Sequence, residues 1–223
     1  DETYFARSDF YNCMDNLGMF WNLPNIQAFH SIVPVSIMDF YPTVGVKRDV
    51  SSKPQASLYQ LRALLSVRWL FIEQNESEQS PMPGFKFYGR QMGYNVYENE
   101  NFIPMGFTYD TYITRSQLEE LAETERSMAM MSSIVLEDDD AYNYLDILMQ
   151  DMSPSNDVYD YDTFTQAVAE RRETCADSFE TTNTGFKSTI TLDRENLVFF
   201  SVPYDEGWSA TVNGEPVEVT KVN

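Results

Sequence analysis

The feature that most constrains this chain is the run Val198 to Gly214, VFFSVPYDEGWSATVNG. Val198, Phe199 and Phe200 form an apolar run that stops at Pro203, and a second alternating run closes on Asn213-Gly214. Asn-Gly between two strand-like runs is a strong hairpin signal, because both residues tolerate the positive φ of a tight turn. Pro203 and Gly207 interrupt the pairing between the two runs and predict a corner bearing Tyr204 and Trp208. Strands are expected at Lys187–Leu192, Leu197–Val202, Ser209–Val212 and Pro216–Lys221, together a β-sandwich-like C-terminal part.

The rest of the chain reads differently. Pro54 to Leu65 carries Leu58, Leu61, Leu64 and Leu65 at helical spacing, with Pro54 suited to a first turn. Val67–Glu73 predicts a buried strand, and Phe85–Tyr88, Tyr94–Glu98 and Met105–Tyr112 predict short strands between Gly and Asn turns. Thr114 and Gln117 make a capping box that opens a helix with Leu118, Leu121, Met128 and Met131 on one face. Those methionines are expected to fill core. Tyr4 to Val46 predicts short helices and loops, with Ile26–Asp39 mostly buried. Glu137 to Asp162 is acidic and lacks Lys and Arg, with short helices expected at Ala141–Met149 and Tyr161–Arg171. The expected class is α+β: a mixed part over 1–136, an acidic helical insertion over 137–177, and a β-rich part over 178–223.

At 223 residues the chain can bury a sizeable core. Its net charge of −20 opposes binding to nucleic acid, whose phosphates call for Lys and Arg, and opposes docking on anionic lipid through a basic patch. Cys13 and Cys175 have no metal-ligand spacing and are expected to be free and buried, with one long-range disulfide as the alternative. Asn16 to Met38 is free of acidic and basic charge, His30 aside, yet Asn16, Asn22, Pro24, Asn25, Gln27 and Pro34 make it a poor membrane span. Asp1-Glu2 opens no secretory signal pattern, and the start reads as that of an excised piece.

Motif chemistry is sparse. There is no nucleophile elbow, no paired-histidine zinc motif, no phosphate loop and no dinucleotide fingerprint. His30 is the single histidine and is expected to be structural. Asp157, Asp160 and Asp162 resemble the acidic start of a calcium loop but lack its central glycine and terminal glutamate, so no metal site is assigned. With 35 acidic residues, a carboxylate pair at glycosidase spacing carries no weight. Sugar recognition needs aromatic faces for the C–H side of a ring and amides or carboxylates for its hydroxyls. Tyr97, Glu98 and Asn99 offer that chemistry in one corner, and Tyr204, Asp205, Trp208 and Asn213 in another. The alternative reading of both corners is packing and turn stabilisation.

Five segments, in order, resemble the YfhO family of bacterial polytopic membrane proteins. They are NIQAFHS (Asn25–Ser31), FYPTVG (Phe40–Gly45), LRALLSVRWLF (Leu61–Phe71), YENENFIPMGF (Tyr97–Phe107) and the PYDEGW…NG signature of the C-terminal run. The resemblance implies a soluble extracytoplasmic domain attached to its own membrane-spanning segments. It also implies a glycosyltransferase-like parent that moves sugar from a polyprenyl-phosphate donor to a cell-envelope polymer such as lipoteichoic acid. The transfer chemistry would lie in membrane-proximal loops, so no catalytic residue and no cofactor is assigned here. Two other readings remain open: a non-catalytic carbohydrate-binding or cell-surface module, and a hydrolase using scattered carboxylates.

Overall fold

A computed structural model describes residues 4–29, 32–47 and 51–223. His30 lies outside the described residues. The fold is mixed α+β, with several small sheets and short helices. The largest sheet has four strands in the order Arg7–Phe10, Val67–Glu73, Tyr94–Asn99, Phe85–Gln91. The first pair is parallel and the others are antiparallel. Val67–Glu73 has the bounds its sequence predicts, because a β-branched and aromatic run between a helix and a polar loop suits a pleated surface.

Phe85–Gln91 and Tyr94–Asn99 are joined by a two-residue turn in which Met92 (φ 50) and Gly93 (φ 84) both have positive φ. That is the conformation a right-twisted hairpin needs, and Asn suits its first position far better than Met. Met92 is exposed and its side chain is free to change. Met92→Asn is expected to stabilise the fold by about 0.5–1 kcal/mol, read from the urea midpoint at unchanged slope.

A second sheet is all parallel, with Thr111–Thr114 between Met149–Gln150 and Ile134–Leu136. The crossover from Thr114 to Ile134 runs through helices Arg115–Glu120 and Glu123–Ser132. The capping box forms as expected: the Thr114 hydroxyl accepts from the Gln117 backbone N–H, and the Gln117 side chain accepts from the Thr114 N–H. The single helix expected here is two. Leu121 and Ala122 are extended, and polar groups take over the lost helical bonds. Arg126 donates to the carbonyls of Leu121, Glu119 and the distant Thr43, while the Glu125 carboxylate accepts from the Ala122 N–H.

The main core joins these helices to the parallel sheet and to the acidic segment, while the four-stranded sheet packs on its own smaller cluster of Leu70, Met82, Phe85 and Tyr97. The main core includes Leu61, Leu64, Ile113, Leu118, Met130, Met131, Tyr144, Phe164 and Phe199. The methionines fill core, as their spacing suggests. Residues 137–177 supply Ala141, Tyr144, Leu148, Phe164, Ala167 and Val168 to this core. Their regular structure is a 3-10 turn at Ala141–Tyr144, where the sequence predicts a helix to Met149, the strand Met149–Gln150, a 3-10 turn at Pro154–Asn156 and a helix at Tyr161–Glu173 capped by Asp160.

The C-terminal strands pair as hairpins and one short ladder, where the sequence suggested sandwich-like sheets. Ser178–Thr182 pairs with Gly185–Thr189, Val198–Phe199 with Phe107–Thr108, and Ala210–Val212 with Glu215–Val217. Asn213 (φ 52) and Gly214 (φ 91) make the expected turn. Stacking over the first hairpin is done by side chains: Phe179, Phe186, Phe200 and Trp208 form one aromatic run. A second expectation changes in the N-terminal part. Ile26 is buried, but Ile32, Val35 and Met38 are exposed, so the Ile26–Asp39 segment is only partly inside.

Candidate functional site

Two irregularities in the four-stranded sheet converge on one place. Arg7 pairs with Val67 and Ser8 with Trp69, which leaves Arg68 as an extra, bulged residue. On the far strand Phe87 pairs with Tyr97 and Gly89 with Val96, which leaves Tyr88 as another. Bulges re-aim side chains and gather near functional surfaces. Here both extra residues reach Trp69, whose register partner is Glu98.

The Trp69 and Tyr88 rings meet edge to face, with centroids 5.0 Å apart at 68°. Arg68 lies over Trp69 at 5.2 Å and over Phe102 at 5.9 Å. Its Nε (3.0 Å) and Nη2 (2.8 Å) both donate to Oε1 of Glu98. Tyr88 is 61% exposed, and Arg68 and Glu98 are about one-third exposed. Lys86 is exposed and pairs in register with Glu98 on the neighbouring strand. An open aromatic face is thus bordered by a fixed guanidinium and carboxylate. Chemically, that can cover the apolar side of a sugar ring and hydrogen-bond its hydroxyls, or contact an anionic substituent through Arg68 and Lys86.

The structure divides the first sequence corner. Successive strand residues point to opposite faces, so Tyr97 and Asn99 turn away from Glu98. Tyr97 is 1% exposed and packs on Phe87 at 5.7 Å. Asn99 is buried; its amide donates to the Val67 carbonyl (2.8 Å) and its oxygen accepts from the Asn101 N–H (2.9 Å). Glu98 alone of the three reaches the exposed aromatic face.

The second corner holds together as a turn. The Asp205 carboxylate accepts from the Gly207 N–H (2.8 Å), and Trp208 Nε1 donates to the Pro203 carbonyl (3.1 Å). The Trp208 ring lies 5.8 Å from Phe186 and in contact range of Gly185. Tyr204 is half-buried, Asp205 is exposed, and Asn213 is exposed in its hairpin turn. Arg68 and Trp69 escape a sequence reading in which Val67–Glu73 is a buried strand, and Tyr88 escapes it because its bulge is defined only by register against Tyr94–Asn99. A signal was present, since Arg68-Trp69 places a cation and an amphipathic ring mid-strand.

Elsewhere, charged and thiol groups serve the fold. Asp9 and Arg62 form an ion pair of 2.8 Å with both side chains 0% exposed. Burial pushes the Asp9 carboxyl up, opposed by Arg62 and by a hydrogen bond from Gln27. Cys13 and Cys175 are free and half-buried. Burial pushes the Cys13 thiol up to about 12, and it donates to the Phe71 carbonyl. Among the described residues, no group of acids, histidines or cysteines is placed to hold a metal ion. No helix among them is long and apolar enough to cross a membrane.

Comparison with known proteins finds that the family model for "Bacterial membrane protein YfhO" matches residues 1–159 and 154–223. A protein of Bacillus subtilis (strain 168), named uncharacterized protein YfhO, is 26% identical over 147 residues. That match covers 62% of this chain and 17% of the relative's length. No solved structure matches.

Proposed function

Because the chain belongs to the YfhO family of bacterial membrane proteins, we propose that it is an extracytoplasmic domain that holds a glycan or cell-envelope polymer for its membrane-embedded parent. In this reading the parent transfers sugar from a polyprenyl-phosphate donor, and this domain presents the acceptor. The observation that carries the proposal is the bulge-built surface of Trp69, Tyr88, Arg68 and Glu98. An open shape suits a chain of repeating units, which passes across a surface instead of being enclosed. Arg68 and Lys86 offer positive charge there on a chain of net charge −20, which suits a polymer with anionic substituents. Tyr204, Asp205, Trp208 and Asn213 form a second contact point for the same polymer.

Binding of defined oligomers tests this directly: neutral glucan oligosaccharides against glycerol-phosphate polymers, by calorimetry or NMR titration. Trp69→Ala is expected to weaken binding about tenfold, the scale of one lost aromatic contact of about 1–1.5 kcal/mol. Trp208→Ala should weaken it less, since its ring is partly committed to Phe186. Unchanged affinity in both variants, or no binding of either polymer class, would sink the proposal. The carbohydrate-binding module remains the second reading. It shares the surface but not the membrane transferase, and lipid-sugar turnover by the whole protein separates the two.

A further inference from the structure

The stretch from Asn16 to Met38 contains no Asp, Glu, Lys or Arg, in a chain of net charge −20. The acids at its two borders are neutralised on the spot: Asp15 pairs with Lys53 at 2.7 Å and Asp39 with Lys221 at 3.0 Å. Inside those borders Met19, Phe20, Phe29, Ile32, Val35 and Met38 are exposed, Ile32 at 91% and Phe20 and Val35 at 74% each. Its described part from Asn16 to Phe29 is anchored. The Asn16 side chain both donates to and accepts from the Phe29 backbone at 2.9 Å, and the Tyr41 hydroxyl donates to the Ile26 carbonyl at 2.7 Å. Trp21 is wedged against Phe10, Phe71 and Tyr94 of the four-stranded sheet. Six large apolar side chains within this one stretch are held out to water, and together they call for a cover.

We propose that this face rests on the lipid bilayer, with Phe20, Ile32 and Val35 entering its interfacial layer. The charge distribution selects the occupant. An acidic protein is repelled from anionic headgroups, and this stretch, free of Asp, Glu, Lys and Arg, can approach them. Its apolar and aromatic side chains match the acyl boundary, and the bordering Lys53 and Lys221 are held by Asp15 and Asp39 instead of being free for phosphates. Membership in a family of bacterial membrane proteins places a bilayer within reach. The contact would set the height and tilt of the Trp69 surface above the membrane, but it stands whether or not that surface binds a glycan.

The test holds the tagged chain on phosphatidylcholine vesicles through a small fraction of nickel-chelating lipid. An environment-sensitive fluorophore is placed at Ile32→Cys or, as a control, at Tyr142→Cys in the acidic segment. Both positions are exposed, so labelling leaves the fold in place. Bromine-labelled acyl chains are expected to quench the probe at position 32 at least twofold more than at position 142. Replacing part of the phosphatidylcholine with anionic lipid should weaken that quenching at low salt, and added salt should restore it. Equal quenching at both positions, or none at 32, overturns the proposal. Protection of position 32 that follows protein density but ignores bromine overturns it too, in favour of a second copy of the chain.

Discussion

Replacing Arg62 with methionine is expected to remove about 3–5 kcal/mol of stability, the cost of breaking a fully buried ion pair from one side. The guanidinium is saturated. It donates to Asp9 through Nε (2.9 Å) and Nη2 (2.8 Å), to the Gln55 and Leu58 carbonyls through Nη1, and to the Pro54 carbonyl through Nη2. Methionine fills much of the volume but leaves the buried Asp9 carboxylate with Gln27 as its remaining side-chain donor, and takes one donor from each of the Gln55, Leu58 and Pro54 carbonyls. The double variant Asp9→Leu with Arg62→Met should recover a large part of the loss, because it removes the uncompensated charge.

The pH dependence of the single variant carries a definite sign. Burial already raises Asp9, and losing Arg62 removes the chief opposing influence, so the folded variant binds a proton that the unfolded chain releases near pH 4. The variant is therefore most stable below about pH 4 and loses stability as pH rises toward its elevated folded pKa. The same sign acts more weakly in the unaltered protein, where Arg62 opposes it. The gap between the two should widen upward from pH 4 in urea titrations, and a constant gap would contradict the assignment. The consequence reaches the candidate site, since Asp9 lies on the strand that flanks the Arg68 bulge.

Gly106→Ala is the second large effect, expected at about 2–4 kcal/mol from backbone strain and overpacking together. Gly106 has φ +89, and an added Cβ would stand 2.6 Å from Cε1 of Phe200 and 3.2 Å from Cβ of Ala176. Neither neighbour can yield freely. Phe200 belongs to the C-terminal aromatic run, and the Ala176 N–H donates to the Gly106 carbonyl at 2.7 Å. Gly93→Ala is the internal control: its φ is +84, but nothing lies within 4 Å of the added atom. It should cost only the strain, about 1–2 kcal/mol. Equal losses for the two variants, measured by denaturant unfolding, would show that Gly106 does not clamp the N-terminal and C-terminal parts together.

The two glycines show what can be read locally and what cannot. Both are glycines after a polar or apolar run, and the sequence alone does not say that one is crowded and the other open. The crowding at Gly106 is made by Phe200, far along the chain. The same distinction runs through the candidate site. Glu98 was legible because an acid beside aromatics invites the reading. Tyr97 and Asn99 were drawn in with it, although strand alternation separates them from Glu98.

What the sequence determined by itself was everything set by neighbours along the chain. Thr114 and Gln117 close a capping box because the partners are three residues apart. Asn213-Gly214 turns because both residues accept positive φ. Val67–Glu73 is a strand because its side chains suit a pleat. Family membership also lay in ordered short segments. The tertiary structure alone decided the rest, through partners distant in sequence. The helix break at Leu121 is stabilised in part by the Thr43 carbonyl. Burial within Ile26–Asp39 depends on distant packing: Ile37 packs on the main core, while Ile32, Val35 and Met38 stay exposed. The Trp69 surface exists because two bulges, each defined only by register against another strand, bring Arg68 and Tyr88 to one side. Register is a relation between strands, and no single strand's sequence contains it.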